Sequence, residues 1–287
     1  LTARKNVLGK QSGNYLSRSK GRGMEFDEVR HYQTGDDIRA IDWRVTARTG
    51  TTHTKLFREE IERPVLVATD LSTSMQFGSQ LLFKSVQAAH LAALVSWHAK
   101  SRGDRLGGLV FNNAQHIELK PRSRKAGVLH YLHALTQLSS PNEAPQTKVD
   151  FDAHCARLRH LAKPGSLVYL ITDAHALINY NNVNQHALRH LTHISRHCEL
   201  VIGLINDPLE FTLPVSNKKL SVTLTDGQNR QQLTLGDKNT ELSYQQHASA
   251  CHSQKLAQLQ ESGARIIEFS AGVPLEQQLK ASGAPLS

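Results

Sequence analysis

Three oxygen-bearing side chains, Asp70, Ser72 and Ser74, follow directly after a short apolar run. The run, Val65 to Thr69, has no polar alternation, which is typical of a β-strand buried on both faces of a sheet. The next helical pattern begins near Leu81, so we expect the three side chains on the loop at the carboxyl end of the strand. Ligands bind at this edge of open α/β sheets, and carboxylate and hydroxyl oxygens suit Mg²⁺.

This spacing by itself is compatible with two interpretations. Serine-rich loops often serve only to cap the following helix, and then Ser72 and Ser74 have no metal role. A second buried strand, Val168 to Thr172, also ends in an aspartate, Asp173. Because the carboxyl ends of parallel strands lie at one edge of a sheet, we expect Asp173 near Asp70, which favours a metal site.

Short apolar runs alternate with helical patterns from residue 64 onward. Strands are predicted at 65–69, 106–111, 115–119, 168–172, 199–206 and 265–269, and helices at 81–100, 124–138, 150–161, 182–197, 244–262 and 274–280. This alternation predicts an α/β fold with a doubly wound, mainly parallel sheet over residues 64–287. A hairpin pattern around Asp226-Gly227 predicts an insertion at the sheet edge, at about 208–237.

Residues 1–63 are expected to form an N-terminal arm and a β-hairpin segment. The stretch 21–44 matches neither a regular helix nor a regular strand, and residues 41–47 and 52–57 read as a hairpin. Interleaved charges predict a network that fixes this segment, made by Asp36, Asp37 and Asp42 with Arg30, Arg39, Arg44 and Arg48. The alternative is a partner-docking surface, for which the candidates are Arg39, Asp42, Trp43 and Arg44.

The composition limits the class of protein. A chain of 287 residues holds one large α/β domain with additions. The apolar region Leu81 to Trp97 is interrupted by Lys84 and other polar residues, which favours a buried helix over a membrane span. Three cysteines without Cys-x-x-Cys spacing, and the lack of a recognisable signal peptide, lead us to expect a cytoplasmic protein.

The chain is basic, with a formal net charge of +9 and an isoelectric point of about 9.6. This balance favours acidic partners, including nucleic acid through the basic stretch Arg4 to Arg22. Because the basic residues are spread along the chain without an aromatic-interleaved motif, a solvated basic surface is the simpler interpretation.

Four histidines, His186, His190, His193 and His197, lie at offsets that place them in one helical stripe. Such a stripe can bind a borderline cation such as zinc or titrate together near pH 6.5. A polar helix flank is the simpler interpretation, and the sequence leaves the question open.

Two resemblances combine these features. The pattern Asp-x-Ser-x-Ser with a later strand-ending aspartate resembles a von Willebrand factor A domain. The order Gly-x-Glu-Phe, Arg-x-Tyr, Gly-Asp-Asp-x-Arg-x-Ile-Asp-Trp and Ala-Arg, starting at about Gly21, resembles the bacterial domain of unknown function 58 family. Members of that family carry a von Willebrand A-like domain and are often encoded beside MoxR-type AAA+ ATPases.

The resemblance implies a Rossmann-like fold and a metal-ion-dependent adhesion site. By position, Asp70, Ser72, Ser74 and Asp173 match that site, and Thr147 matches its threonine on a second loop. The run before Thr147 lacks the glycines usual in the family, so Asp150 or Ser123 could compete for that role. The implied ion is Mg²⁺ or Mn²⁺, and the implied partner is a MoxR-type ATPase or its client protein.

We expect a non-enzymatic interaction module, because no nucleophile elbow, phosphate-binding glycine loop, zinc-protease motif or dinucleotide fingerprint is present. The ion would gain from an acidic residue supplied by a partner protein. One alternative is a metal-dependent hydrolase, for which His175 is the candidate base. A further alternative is nucleic-acid binding through the basic N-terminal stretch.

Overall fold

The computed structural model describes residues 24–59, 63–139, 150–179, 182–225 and 230–281. These residues form two compact units, one up to residue 59 and one from residue 63 onward. Three features of the sequence, the stretch Arg4 to Arg22, Thr147 and Asp226-Gly227, lie outside the described residues.

The first unit consists of two antiparallel strands joined by a helical connection. Strand β1 (Met24–His31) pairs with β2 (His53–Glu59). A 3₁₀ helix (Ile38–Ala40) and helix α1 (Trp43–Thr49) lie between them. Two short helical segments therefore lie in the connection between β1 and β2.

The predicted hairpin of residues 41–47 with 52–57 is wrong, and residues 24–31 form a strand whose register shifts between Phe26 and Glu28. The carboxylate of Asp42 accepts hydrogen bonds from the backbone N–H groups of Arg44 and Val45, which starts a helix. Gly50 ends the helix with φ 74°, a conformation that glycine adopts without steric cost. The local capping signals outweigh the β-propensity of this short segment.

The aspartates of this unit hold backbone turns more than they pair with arginines. Asp36 pairs with Arg30 at 2.7 Å, while Asp37 caps the 3₁₀ helix and Asp42 caps α1. Among the described residues, Arg30 is the only one of the four predicted arginines that pairs with these aspartates. The predicted network is thus correct at one pair and wrong for Arg39, Arg44 and Arg48.

The second unit contains the predicted α/β fold. Its strands are β3 (Pro64–Asp70), β4 (Arg105–Phe111), β5 (His116–Arg122), β6 (Leu167–Thr172), β7 (Ile178–Asn179), β8 (Asn182–Val183), β9 (Glu199–Asn206), β10 (Leu220–Thr225), β11 (Arg230–Leu235) and β12 (Arg265–Ser270). Its helices are α2 (Lys84–Ser101), α3 (Arg124–Ser139), α4 (Phe151–Leu161), α5 (Gln185–His197), α6 (Lys238–Glu261) and α7 (Leu275–Ala281).

Six of these strands form the central sheet, in the order β12-β9-β6-β3-β4-β5. All neighbours are parallel except β5, which runs antiparallel at the edge. This is the doubly wound arrangement, in which the chain moves outward from β3 in one direction and then returns to continue from β6 in the other. The predicted fold class is therefore confirmed.

Helices cover both faces of the sheet, so the inner strands are apolar throughout. Alternate residues of β3 enter different layers: Val65 and Val67 pack with α2 and α3, whereas Leu66 and Ala68 pack with α4 and α5. The neighbouring strand β4 needs glycine at position 108, because a Cβ there would lie 1.9 Å from the carbonyl oxygen of Val67.

The predicted element boundaries shift where a capping residue was overlooked. Helix α6 begins six residues before the predicted start, because Asp237 accepts a hydrogen bond from the backbone of Thr240. Strands β10 and β11 form their own two-stranded sheet, as the hairpin pattern predicted. None of the helices described is long and apolar enough to cross a membrane.

We predict that one buried histidine makes the second unit acid-sensitive. His154 on α4 stacks on Phe111 with ring centroids 4.4 Å apart, and burial, followed by nearby His116, lowers its pKa from 6.5 to about 4. The unfolded chain therefore takes up this proton at a higher pH than the folded protein does. The free energy of unfolding therefore keeps the full contribution of His154 above about pH 6.5 and loses it progressively as the pH falls towards 4. At pH 5 the expected loss is about 1–2 kcal/mol.

Urea denaturation at pH 7 and pH 5 measures this effect. His154→Leu should lose less stability between the two pH values than the wild type does. The exposed His130 on α3 supplies the control, and His130→Leu should behave like the wild type. Equal acid sensitivity in His154→Leu and the wild type would contradict the assignment.

Candidate metal centre

The candidate centre lies where β3 and β6 end side by side. The two strands are adjacent and in register, with Thr69 opposite Ile171, so Asp70 and the Thr172-Asp173 pair emerge at the same edge. Both carboxylates are buried, with Asp70 and Asp173 each 1% exposed. Ser74 is half-buried, so it is the most exposed of the four residues of the cluster named in the sequence pattern, Asp70, Ser72, Ser74 and Asp173.

Hydrogen bonds connect four of the five predicted ligands. The hydroxyl of Ser74 donates to Asp173 Oδ1 at 3.2 Å and lies 3.3 Å from the hydroxyl of Ser72. The backbone N–H of Ser72 donates to Asp70 Oδ1 at 2.9 Å. The fifth predicted ligand, Thr147, lies outside the described residues.

The two serines do not cap the next long helix. Helix α2 begins at Lys84, ten residues after Ser74, and no side chain caps its N-terminus. A short 3₁₀ helix (Thr73–Met75) follows Ser72, whose side chain makes no capping bond. Asp150, the proposed competitor of Thr147, occupies the N-cap position of α4, but its side chain makes no capping hydrogen bond. The capping interpretation of the Asp-x-Ser-x-Ser loop is therefore wrong.

Thr172 is a member of the cluster that the sequence reasoning missed. Its hydroxyl donates to Asp70 Oδ2 at 2.7 Å and accepts a hydrogen bond from the backbone N–H of Ala174. Both oxygens of Asp70 are thus held in fixed directions. The available signal was its position directly before the strand-ending aspartate, where a buried hydroxyl faces the neighbouring strand.

Lys84 supplies a buried ammonium group beside the cluster. The Lys84 side chain is 4% exposed, and its Nζ lies 2.7 Å from Asp173 Oδ2 and 2.6 Å from Glu210 Oε1. Sequence reasoning treated this lysine only as an interruption of an apolar helix. A lysine at a buried helix position requires a carboxylate partner, which was the missed signal.

The segment that carries Glu210 is itself fixed to the sheet edge. Asp207 and Glu210 form a capping box around the 3₁₀ helix Pro208–Glu210 that follows β9. The carboxylate of Asp207 also accepts hydrogen bonds from the backbone N–H and the hydroxyl of Ser79. Three successive loops of the sheet edge therefore meet around Lys84.

The two aspartates differ in their electrostatic environment. Burial, followed by the neighbouring Asp173 carboxylate, raises the pKa of Asp70. Burial acts in the same direction on Asp173, but the Lys84 ammonium outweighs it and lowers the pKa of Asp173. Burial disfavours the charged form of Lys84 as well, yet Asp173 and Glu210 together raise its pKa. Asp70 thus lacks the cation that Asp173 possesses.

The donor set fits a hard divalent cation. Every side chain of the cluster except Lys84 offers oxygen, which Mg²⁺ and Mn²⁺ prefer. Three carboxylates and one ammonium leave two negative charges when all are ionised: Asp173 and Glu210 share Lys84, and Asp70 has no cationic partner among the described residues. Within the described residues, no three His, Cys, Asp or Glu side chains are placed to hold a metal by themselves.

The histidine stripe on α5 does not form a multi-ligand site within the described residues. His190 lies 3.4 Å from the Asp152 carboxylate on α4, and the rings of His193 and His197 are 6.3 Å apart. At His190, the stripe therefore faces helix α4.

Comparison with known protein families identifies the family of this chain. The family described as "Protein of unknown function DUF58" matches residues 28–255. The chain belongs to this family. The DUF58 match includes both the first unit from residue 28 onward and the candidate centre, and it confirms the predicted resemblance.

The relatives of this DUF58 chain are described as uncharacterized proteins, so their names indicate no function. The uncharacterized proteins Mb1516 of Mycobacterium bovis and Rv1480 of Mycobacterium tuberculosis are each 30% identical to it over 181 residues, which is 63% of this chain and 56% of theirs. The chain thus spans about half the length of these curated relatives.

Two solved structures are among those similar to this DUF58 chain. The conserved hypothetical protein BatB from Bacteroides thetaiotaomicron has a TM-score of 0.48 at 14% identity, covering 77% of this chain and 96% of BatB. A von Willebrand factor type A protein from Catenulispora acidiphila has a TM-score of 0.37 at 13% identity, covering 54% of this chain and 35% of that protein.

We predict that Lys84→Met destabilises the second unit strongly. The substitution leaves Asp173 and Glu210 without their ammonium partner, and an uncompensated buried charge costs about 3–5 kcal/mol. Urea denaturation in the presence of EDTA measures the change. The control is Lys100→Met at an exposed position of the same helix, where a change within about 0.5 kcal/mol is expected. If both variants changed equally little, the ion pairs would carry no stability.

Proposed function

We propose that this protein is a non-enzymatic, divalent-metal-dependent protein–protein interaction module. In the proposal, Asp70, Ser72, Ser74, Thr147 and Asp173 hold Mg²⁺ or Mn²⁺ at the carboxyl edge of the sheet. The ion, when bound, supplies an electrophilic position that an acidic residue of a partner protein occupies. The partner is a MoxR-type AAA+ ATPase or a client protein that this ATPase assembles or matures.

The observation that supports the metal site most directly is the pairing of two buried carboxylates with the hydroxyls of two serines. Asp70, Asp173 and Ser72 are buried, while Ser74 is half-buried. Burying a carboxylate without a cation is costly, and no cationic side chain of the described residues pairs with Asp70. A divalent ion at the hydroxyls would compensate that charge and remain accessible to another molecule.

The first unit supplies the proposed docking residues. The Trp43 side chain is 66% exposed, as is that of Ile38, and exposed large apolar side chains of this kind serve as anchors in interfaces. Asp42 caps the helix that begins at Trp43, so its role is to fix the orientation of that helix. Arg39 and Arg44 flank the aromatic ring in the sequence and would contact an acidic partner surface.

A hydrolase would require a base near the ion, and His175 is the relevant residue. Its backbone N–H donates to Asp173 Oδ1 at 2.9 Å, and the residue lines a cleft beside the centre. We nevertheless propose a binding role, because the sequence carries none of the nucleophile or phosphate-binding motifs that accompany hydrolysis. Mg²⁺-dependent turnover of a phosphoester panel that is lost in His175→Ala would favour the hydrolase instead.

We predict that Mg²⁺ binding requires Asp70. Isothermal titration of the chain with MgCl₂ should give one binding event, and Asp70→Asn should abolish it, because the amide keeps the shape but removes the charge. The control Asp152→Asn changes a half-buried carboxylate on α4, outside the cluster, and should bind Mg²⁺ like the wild type. Unchanged affinity in Asp70→Asn would remove the metal site from the proposal.

We predict that partner capture requires both the metal and the exposed tryptophan. Affinity purification from the native host should recover a MoxR-type ATPase or its client with Mg²⁺, and recovery should fall at least about tenfold with EDTA or with Trp43→Ala. The control Leu242→Ala removes another exposed apolar side chain, from α6, and should leave recovery unchanged. Equal recovery with and without EDTA would show that capture does not use the metal.

A further inference from the structure

A cleft of about 320 Å³ adjoins the candidate metal centre on its α6 side. The loop after β6 contributes His175, the end of β9 contributes Asn206, and the segment after β9 contributes Glu210 and Phe211. Helix α6 closes the other side with residues that carry nitrogen or aromatic groups, which include Tyr244, His247, His252 and Lys255. The lining thus comes from three separate parts of the second unit.

The cleft contains a lysine that is not paired with a carboxylate. Among the described residues its lining holds one lysine, Lys255, and one carboxylate, Glu210, and Glu210 shares the Lys84 ammonium with Asp173. The half-buried Lys255 donates a hydrogen bond to the carbonyl oxygen of Asp173 at 3.1 Å, and no carboxylate of the described residues lies within ion-pair distance of it. A partly desolvated ammonium of this kind gains substantially from an anionic ligand.

The lining also offers apolar and hydrogen-bonding surface for a peptide. The rings of Phe211 and His252 meet edge to face with centroids 4.9 Å apart, and the hydroxyl of Tyr244 donates to the carbonyl oxygen of Leu209 at 2.7 Å. His252 is itself paired with Glu268 at 2.8 Å, which holds its ring in place. These contacts fix the positions of the aromatic side chains that line the cleft near Lys255.

The cleft and the metal centre share Asp173. Lys255 holds the carbonyl oxygen of this residue, and the backbone N–H of His175 donates to its carboxylate. A partner peptide with one carboxylate at the metal centre would therefore continue into the cleft, because the loop that carries Asp173 borders both. A second acidic side chain on that chain would meet Lys255.

We infer that the cleft binds an acidic peptide segment of the partner protein, with Lys255 as the principal cation and His247 at its rim. The inference rests on the proposed function, because the same segment supplies the carboxylate that reaches the metal. The cleft thereby selects partners that carry at least two neighbouring acidic residues. An isolated carboxylate on a partner surface would use the metal alone.

Fluorescence anisotropy with a labelled hexaglutamate peptide in Mg²⁺ tests this inference. Lys255→Glu should weaken peptide binding at least about tenfold, because a carboxylate contact becomes a repulsion. The matched control Lys238→Glu makes the same charge change at an exposed position of α6 outside the cleft, and should shift the affinity by less than about twofold. A hexaglutamine peptide should not bind.

His247→Glu provides a second variant, because it adds a negative charge at the exposed rim and leaves the Lys255 contact to Asp173 intact. It should also weaken the peptide without changing the fold, which circular dichroism checks. Equal weakening by Lys238→Glu and both cleft variants would mean a general attraction to a basic protein and would overturn the inference.

Titration with MgCl₂ alone separates this inference from the proposed function. If Mg²⁺ binds and peptide capture depends on Mg²⁺ but on neither Lys255 nor His247, the cleft assignment is wrong and the metal-dependent module stands. If Mg²⁺ does not bind while the peptide still depends on Lys255 and His247, the metal site is wrong and the cleft remains an acidic-peptide site.

Discussion

Two carboxylates are buried side by side at the carboxyl edge of the sheet, and a single ammonium group compensates only one of them. Lys84 reaches from α2 to Asp173 and Glu210, so it joins the ends of β6 and β9 through ion pairs of 2.7 and 2.6 Å. Because Lys84 and Asp173 are shielded from water, each of these two groups depends on its ion-pair partners to stay ionised. The geometry of the whole edge follows from this arrangement.

In this arrangement Asp70 is the buried carboxylate that no cationic side chain of the described residues neutralises. Its two oxygens are already fixed by Ser72 and Thr172, so the carboxylate cannot turn away to reach solvent. The hydroxyl of Ser74 connects that of Ser72 to the carboxylate of Asp173. A site of this kind is prepared for a small hard cation, and the lysine limits the negative charge that the cation would meet.

The cleft beside this sheet edge offers a second group, Lys255, that could contact a partner molecule. Lys255 on α6 binds the backbone of Asp173 and lines a cleft in which Glu210 already contacts the Lys84 ammonium. Cations from two helices on opposite faces of the sheet thus converge on one aspartate, from the side-chain and the main-chain direction.

The sequence by itself determined the strands, their apolar character and the aspartates that end β3 and β6, because burial on both faces leaves an unbroken apolar run that stops at the sheet edge. It also determined the family, through the ordered residues after Gly21. Local capping was harder to read: Asp42 and Gly50 made a helix where β-propensity suggested a strand, and Asp237 moved the start of α6. Only the tertiary structure assigned partners to Lys84, Thr172 and Lys255, because those contacts join residues 82 to 126 positions apart, and no local pattern records such distances.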